Sequence, residues 1–393
     1  MPSARRRSDP VVWGLAALVV WALALRVWFA TPELHSGRFW DERYGLENVE
    51  AHLRHGQWLP ANAYHPTLSY LPQLAVLGAA HGLARVAEDP AFAVLAPRFG
   101  FTPLGYLLAR LVQTVFGALS IVWLYRVGRR LFDPPTALLA AAAMAVVPWH
   151  LRQSVIFKPD VLMLWLLLVA FEAALAAYER PRPAGFARAG LAVGLTAAAK
   201  FNGAAAALPL AIGWIAGPGR RRGLAGLALA GVVTVAVFLA LDPHLLLRPE
   251  LLADDFGHTL RDYAAKGAEA AATRADVALH AVRSLLGVSF HGPVVGAVGL
   301  AGLLWMAVAA ARAEPERRRR LAMAAGFPLG YLALYLAVTN NPSEHNWLPI
   351  VPFTSLGAAV LAVAAGRAAT ARLPAGARRR LLPAAALAAV LPL

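Results

Sequence analysis

Apolar stretches long enough to cross a bilayer recur along almost the whole chain, each separated from the next by a short polar segment. Crossings are expected at about 11–30, 105–126, 135–152, 160–178, 188–200, 203–217, 223–241, 285–311, 321–338 and 349–366. A last apolar run, 381–393, begins a possible eleventh and stops short of spanning. Such a pattern leaves few folds open, because in lipid every backbone polar group must be satisfied within its own segment. The expected class is an all-α membrane protein, a polytopic bundle of about 10–11 transmembrane helices read as one domain over 1–393. Only 15% of the 393 residues are charged, against about 25% in soluble chains.

The basic residues give the orientation. With the N-terminus in the cytoplasm, 22 of the 37 Lys and Arg fall on the inner side, against 6 of the 22 acids. They cluster at Arg5–Arg7, Arg126–Arg130, Arg180–Arg188, Arg220–Arg222, Arg312–Arg320 and Arg367–Arg380. The outer side is close to neutral. The formal charge of +15 is therefore a topology signal, and nucleic acid is not an expected partner. The apolar run after Arg5-Arg6-Arg7 is about 20 residues long without an obvious small-residue cleavage site, so it reads as a retained helix. His65 to Ala87 is apolar enough to cross, but a crossing there would put nearly every later Arg cluster outside. It reads instead as a re-entrant or interfacial helix within a long first outer loop, 31–104. A second long outer segment, 242–284, is polar with helical spacing.

All eleven His residues fall on or at the edge of the outer side, so the chemistry is sought there. Asp41 and Glu42, just after the first crossing, can supply a general base or a metal ligand; their spacing alone favours an ordinary solvated acidic pair. In Tyr64-His65-Pro66-Thr67, His65 can meet a phosphate or a metal, or merely open a helix. A turn carrying His150, Arg152, Lys158 and Asp160 packs ionisable groups at membrane depth, where they are costly unless paired or facing water; snorkelling to headgroups is the other reading. Lys200-Phe201-Asn202 sits at the tip of two short Gly- and Ala-rich crossings, where a lone ammonium calls for an anion. Glu344-His345-Asn346-Trp347 closes an outer turn. With no Cys in the chain, disulfides, thiolate catalysis and cysteine–zinc sites are excluded. No zinc-protease helix, phosphate-binding glycine loop, nucleophile elbow or dinucleotide fingerprint is present.

Taken in order, these segments resemble the lipid-carrier-dependent membrane glycosyltransferases of the C-type fold, which include protein O-mannosyltransferases, aminoarabinose transferases and oligosaccharyltransferases. The likeness is carried by Trp40-Asp41-Glu42, His65-Pro66-Thr67-Leu68-Ser69-Tyr70, Arg110, Gly128-Arg129-Arg130-Leu131-Phe132, Pro148, Ser154, Asp160, Gly194 through Gly203, and Asp242-Pro243-His244, over about residues 10–365. It implies inverting transfer of a sugar from a polyprenyl-phosphate donor to a lipid, glycan or protein acceptor outside the plasma membrane, with Asp41 as base and Glu42 beside it. It also implies acceptor or metal binding at Asp160 and His65, with Asn202 and Tyr64 nearby, and carrier-phosphate contacts from Lys200, Lys158 and Arg152. A divalent ion (Mg, Mn or Zn) serves some members and not others. Where many members place an Arg-Tyr pair late in the chain, this one has His345-Asn346-Trp347, which moves that phosphate contact to His345. Two rival readings are a transporter or flippase of lipid-linked sugars and a non-catalytic subunit of a glycan assembly system.

Overall fold

The computed structural model describes residues 10–31, 42–217, 220–269 and 273–371. Helix α1 (Pro10–Ala30) is followed by α2 (Glu42–His55), a 3-10 turn at Thr67–Ser69 and α3 (Leu71–Ala87). Next come α4 (Pro103–Leu131), α5 (Pro134–Ala145), α6 (Pro148–Gln153), α7 (Pro159–Glu179) and α8 (Pro183–Ala199). A 3-10 stretch, Phe201–Ala207, runs into α9 (Leu208–Ala216), and α10 (Arg220–Leu241) leads to α11 (His244–Leu247), α12 (Pro249–Glu269) and α13 (Arg274–Leu286). The bundle closes with α14 (Gly292–Arg312), α15 (Pro315–Val338), a 3-10 stretch Glu344–Ile350 and α16 (Val351–Ala371). Among the described residues the only strand-like feature is an isolated bridge, Leu95 with Phe101.

The starts of these helices are written in proline. Pro103, Pro134, Pro148, Pro159, Pro183, Pro293 and Pro315 each stand in a first turn, where no N–H is needed and φ is already helical. Thr102 and Asp133 add side-chain caps on the N–H groups of Gly105 and Thr136. Among the described residues seven helices are long and apolar enough to cross a membrane, and Pro134–Ala145 and Phe201–Ala216 are shorter apolar helices. With α8 these occupy the ten expected places. This is an integral membrane protein, an all-α polytopic bundle.

Three boundaries differ from expectation. The span expected at 135–152 breaks at Val147, because the residue before Pro148 is held extended. The one expected from 285 begins only at Gly292: α13 ends at Leu286, and Gly292 takes a φ of 72° before Pro293 restarts the helix. The return crossing expected at 203–217 opens as a 3-10 stretch. The apolar run at 381–393 and the Arg5–Arg7 cluster lie outside the described residues.

Helix α7 is apolar and buried nearly all round, which marks it as the centre of the bundle. It packs on α4 and α8, while α8 packs on α10, and α14 on α16 and α15. Helix α1 is peripheral, with Trp13, Trp21 and Trp28 exposed. One end of the bundle carries both long loops. The opposite end carries the Arg-rich turns, where Arg126 and Arg130 pair with Glu172, Arg130 with Glu179, and Arg367 with Asp133.

Candidate active site

Two helix ends meet at the loop end of the bundle. Helix α7 starts there and α8 ends there, antiparallel and packed together. Asp160 lies in the first turn of α7, where peptide dipoles favour an anion; Lys200 caps the C-terminus of α8, where they favour a cation. Lys200 Nζ donates to Asp160 Oδ1 at 2.7 Å, the two side chains being 10% and 0% exposed. The chain turns sharply after Lys200 because Gly203 bonds back to the Lys200 carbonyl, at 2.7 Å. A Cβ at Gly203 would stand 2.2 Å from the Thr196 carbonyl oxygen, so only glycine fits this approach.

The pair forms one side of a cavity of about 370 Å³. Lys158 and His345 also line it, both within electrostatic range of Asp160. The first loop supplies Tyr44, Tyr64 and His65, and α12 supplies His258, Thr259, Asp262, Tyr263 and Lys266. Tyr44 and Tyr64 pack with ring centroids 4.4 Å apart, and Tyr64 meets the edge of His258 at 5.9 Å. Burial, followed by the Asp160 carboxylate, pushes the Tyr263 phenol up, so it stays a neutral donor. Behind the cavity Asn202 donates to the Tyr331 hydroxyl at 3.1 Å, and Asn346 to the Tyr335 hydroxyl at 2.9 Å. Two buried acceptors, Asp160 Oδ2 and Asn202 Oδ1, have no hydrogen-bond partner among the described residues. Such atoms are rare unless water or a ligand meets them.

Among the residues expected at the site, then, the structure brings together Lys158, Asp160, Lys200, His345, His65 and Tyr64, with Asn202 at the pair's turn. Two go elsewhere. Glu42 is not in the cavity wall: it makes a two-pronged pair with Arg110 at 2.9 Å and accepts the Phe157 N–H at 2.9 Å, all buried. This carboxylate fastens α2 to α4 and to the turn before α7. Arg152 is exposed, lies over the Trp149 ring at 5.2 Å and is not in the cavity wall. Asp41 lies outside the described residues. Among those residues no three His, Asp or Glu side chains come together to hold a metal ion; Asp41, which the expected set for Mg, Mn or Zn includes, lies outside them.

Sequence reasoning missed the contribution of α12. The signal was present as polar residues at helical spacing, His258 and Thr259, then Asp262 and Tyr263, then Lys266.

Residues 104–246, from α4 to α11, match the sequence model of the dolichyl-phosphate-mannose-protein mannosyltransferase family. No curated protein matches the chain significantly. Among solved structures, the chain superposes on ArnT from Cupriavidus metallidurans bound to undecaprenyl phosphate with a TM-score of 0.60, covering 93% of this chain and 61% of that one at 18% identity. The chain has the C-type glycosyltransferase fold. The same fold relates it to the oligosaccharyltransferase AglB from Archaeoglobus fulgidus in complex with an inhibitory peptide and a dolichol-phosphate, with a TM-score of 0.60, 16% identity, and coverage of 97% and 55%. An Archaeoglobus fulgidus oligosaccharyltransferase in complex with Zn and sulfate matches at 0.56, 16% identity, and coverage of 88% and 49%. The chain thus spans about half to three-fifths of the length of these C-type proteins.

Proposed function

We propose that this chain transfers a sugar from a polyprenyl-phosphate carrier to a hydroxyl- or amide-bearing acceptor, on the extracytoplasmic side and with inversion. The observation that carries the reading is the buried Lys200–Asp160 pair beside Lys158 and His345 in a cavity at the end of the spanning helix α7. An ammonium group so nearly buried is costly without an anion. Asp160 uses one of its three protons and leaves two for a phosphate. The helices that place it belong to a fold shared with a protein holding undecaprenyl phosphate.

In this mechanism the carrier phosphate lies against Lys200, Lys158 and His345, which stabilise the charge growing on it as it leaves. Asp160 Oδ2 and Asn202 Oδ1 accept from hydroxyls of the sugar or the acceptor. Asp41 takes the acceptor proton as the acceptor atom bonds to the anomeric carbon from the opposite face; the bond from that carbon to the phosphate oxygen breaks, and polyprenyl phosphate departs. Asp41 suits the role because the next residue, Glu42, is pinned by Arg110. No step requires a metal ion bound to the described residues.

The test is transfer of radiolabelled sugar from a polyprenyl-phosphate donor by purified protein in detergent. Asp41→Asn is expected to abolish turnover while leaving the protein monodisperse and its melting temperature unchanged. Lys200→Met is expected to lose about 10²–10³-fold, as for removal of one oxyanion donor. Full turnover by Asp41→Asn removes the mechanism. The broken crossing from Phe201 to Ala216 also suits a flippase of lipid-linked sugars, for which uptake into sealed vesicles without transfer is the distinguishing result.

A further inference from the structure

The wall of the cavity that faces Lys200 is fastened from outside the first loop. Asp255 on α12 accepts the Ala63 N–H at 2.6 Å, and Asp242, just past α10, accepts the Thr67 N–H at 2.6 Å. Both bonds run from a neutral peptide to a carboxylate, the stronger class of hydrogen bond. They fall four residues apart, and the residues between them are Tyr64, His65 and Pro66. Tyr64 and His65 line the cavity, and Pro66 is extended, at φ −60° and ψ 158°, with no N–H to offer any competing partner.

We infer that Asp242 and Asp255 form a clamp between the two long loops that seats Tyr64 and His65 over the Lys200–Asp160 pair, and that its release is the route by which a polar acceptor enters from the aqueous side. The two carboxylates are positioning residues; neither lines the cavity. The clamp closes over two faces of unlike chemistry. Below it are the paired ammonium and carboxylate groups suited to a phosphate; within it is the Tyr44–Tyr64–His258 wall, whose ring faces and edges suit the C–H and O–H groups of a sugar. While both bonds hold, the Ala63 side chain is fully buried. Ala63 therefore reports closure directly. The entry role rests on the transferase reading above, but the clamp does not.

The chain has no cysteine, so Ala63→Cys gives a single reporter for a polar maleimide in detergent-purified full-length protein. Adding Asp255→Ala or Asp242→Ala is expected to raise the labelling rate about tenfold, the factor that loss of one charge-assisted hydrogen bond implies for a local opening equilibrium. Asp255→Asn and Asp242→Asn keep an acceptor oxygen and are expected to stay near the parent rate. Unchanged labelling in both alanine variants overturns the clamp. Should Asp242→Ala fail to give a monodisperse protein, the half-buried Asp255 decides alone. In the transfer assay, Asp255→Ala is expected to raise KM for the acceptor with a smaller change in kcat, and the asparagine variant to restore it. Raised labelling with unchanged kinetics overturns the entry role, whereas raised labelling in a protein without transfer activity leaves the clamp standing and removes the transferase reading instead.

Discussion

Asp242 and Glu42 show how a carboxyl group meets two unlike surroundings at buried positions. Glu42 has both oxygens engaged by Arg110 and the Phe157 N–H. Buried pairs of this kind seldom add stability over apolar packing, but they are costly to break and hold elements in register. Asp242 is fully buried with the Thr67 N–H on Oδ1, while Oδ2 has no partner among the described residues. Burial pushes its carboxyl up to about 6 against the opposing bonds from Thr67; the Tyr70 phenol faces it from the first loop, and His244 follows it on its own segment. Because the folded value lies above the unfolded one of about 3.9, Asp242 favours the folded state when protonated. That contribution is full below about pH 4 and is lost as pH rises through 6. Burial shifts the His244 imidazole the other way, so the comparison needs a variant that keeps His244. Between pH 7.5 and pH 5 the melting temperature of the parent should gain on that of Asp242→Asn, by about 1 kcal/mol of stability at pH 5. A difference that does not vary with pH would refute the assignment.

Among the elements, α14 and α16 approach each other backbone to backbone. A Cβ on Gly302 would lie 2.1 Å from the Gly357 carbonyl oxygen, and one on Gly357 would lie 2.3 Å from that of Gly299. Lipid tails are as apolar as leucine, so close backbone packing drives such helices together. Gly302→Val should force these helices apart, with a cost of about 1–3 kcal/mol or more. Gly366→Val, where a Cβ meets nothing within 4 Å, should be neutral. Thermal melting of the two variants in the same detergent checks this, and equal melting temperatures would contradict it. The packing has a consequence for the site, since α16 follows directly from the 3-10 stretch that holds His345 and Asn346.

For the whole molecule, the two ends differ in kind: Arg-rich turns with exposed ion pairs at one, both long loops and the cavity at the other. By the positive-inside rule the cavity end is expected outside, as the proposed function requires. In intact cells Ser343→Cys should react with a membrane-impermeant maleimide, and Ala313→Cys, at the turn between α14 and α15, should react only after lysis. The reverse pattern would invert the orientation and with it the proposed side of transfer.

Element existence was legible in the sequence because lipid demands about twenty apolar residues per crossing and proline marks where many of the helices begin. The convergence of Lys158, Asp160 and Lys200 could be anticipated for a related reason, since charges at membrane depth have few tolerable surroundings. Other features were decided only in three dimensions. That Glu42 would be taken by Arg110, and Arg152 by Trp149, depended on which helix faces met, as did the recruitment of α12 to the cavity wall. A sequence records which groups need a partner; only the packing of distant segments selects the partner each one finds.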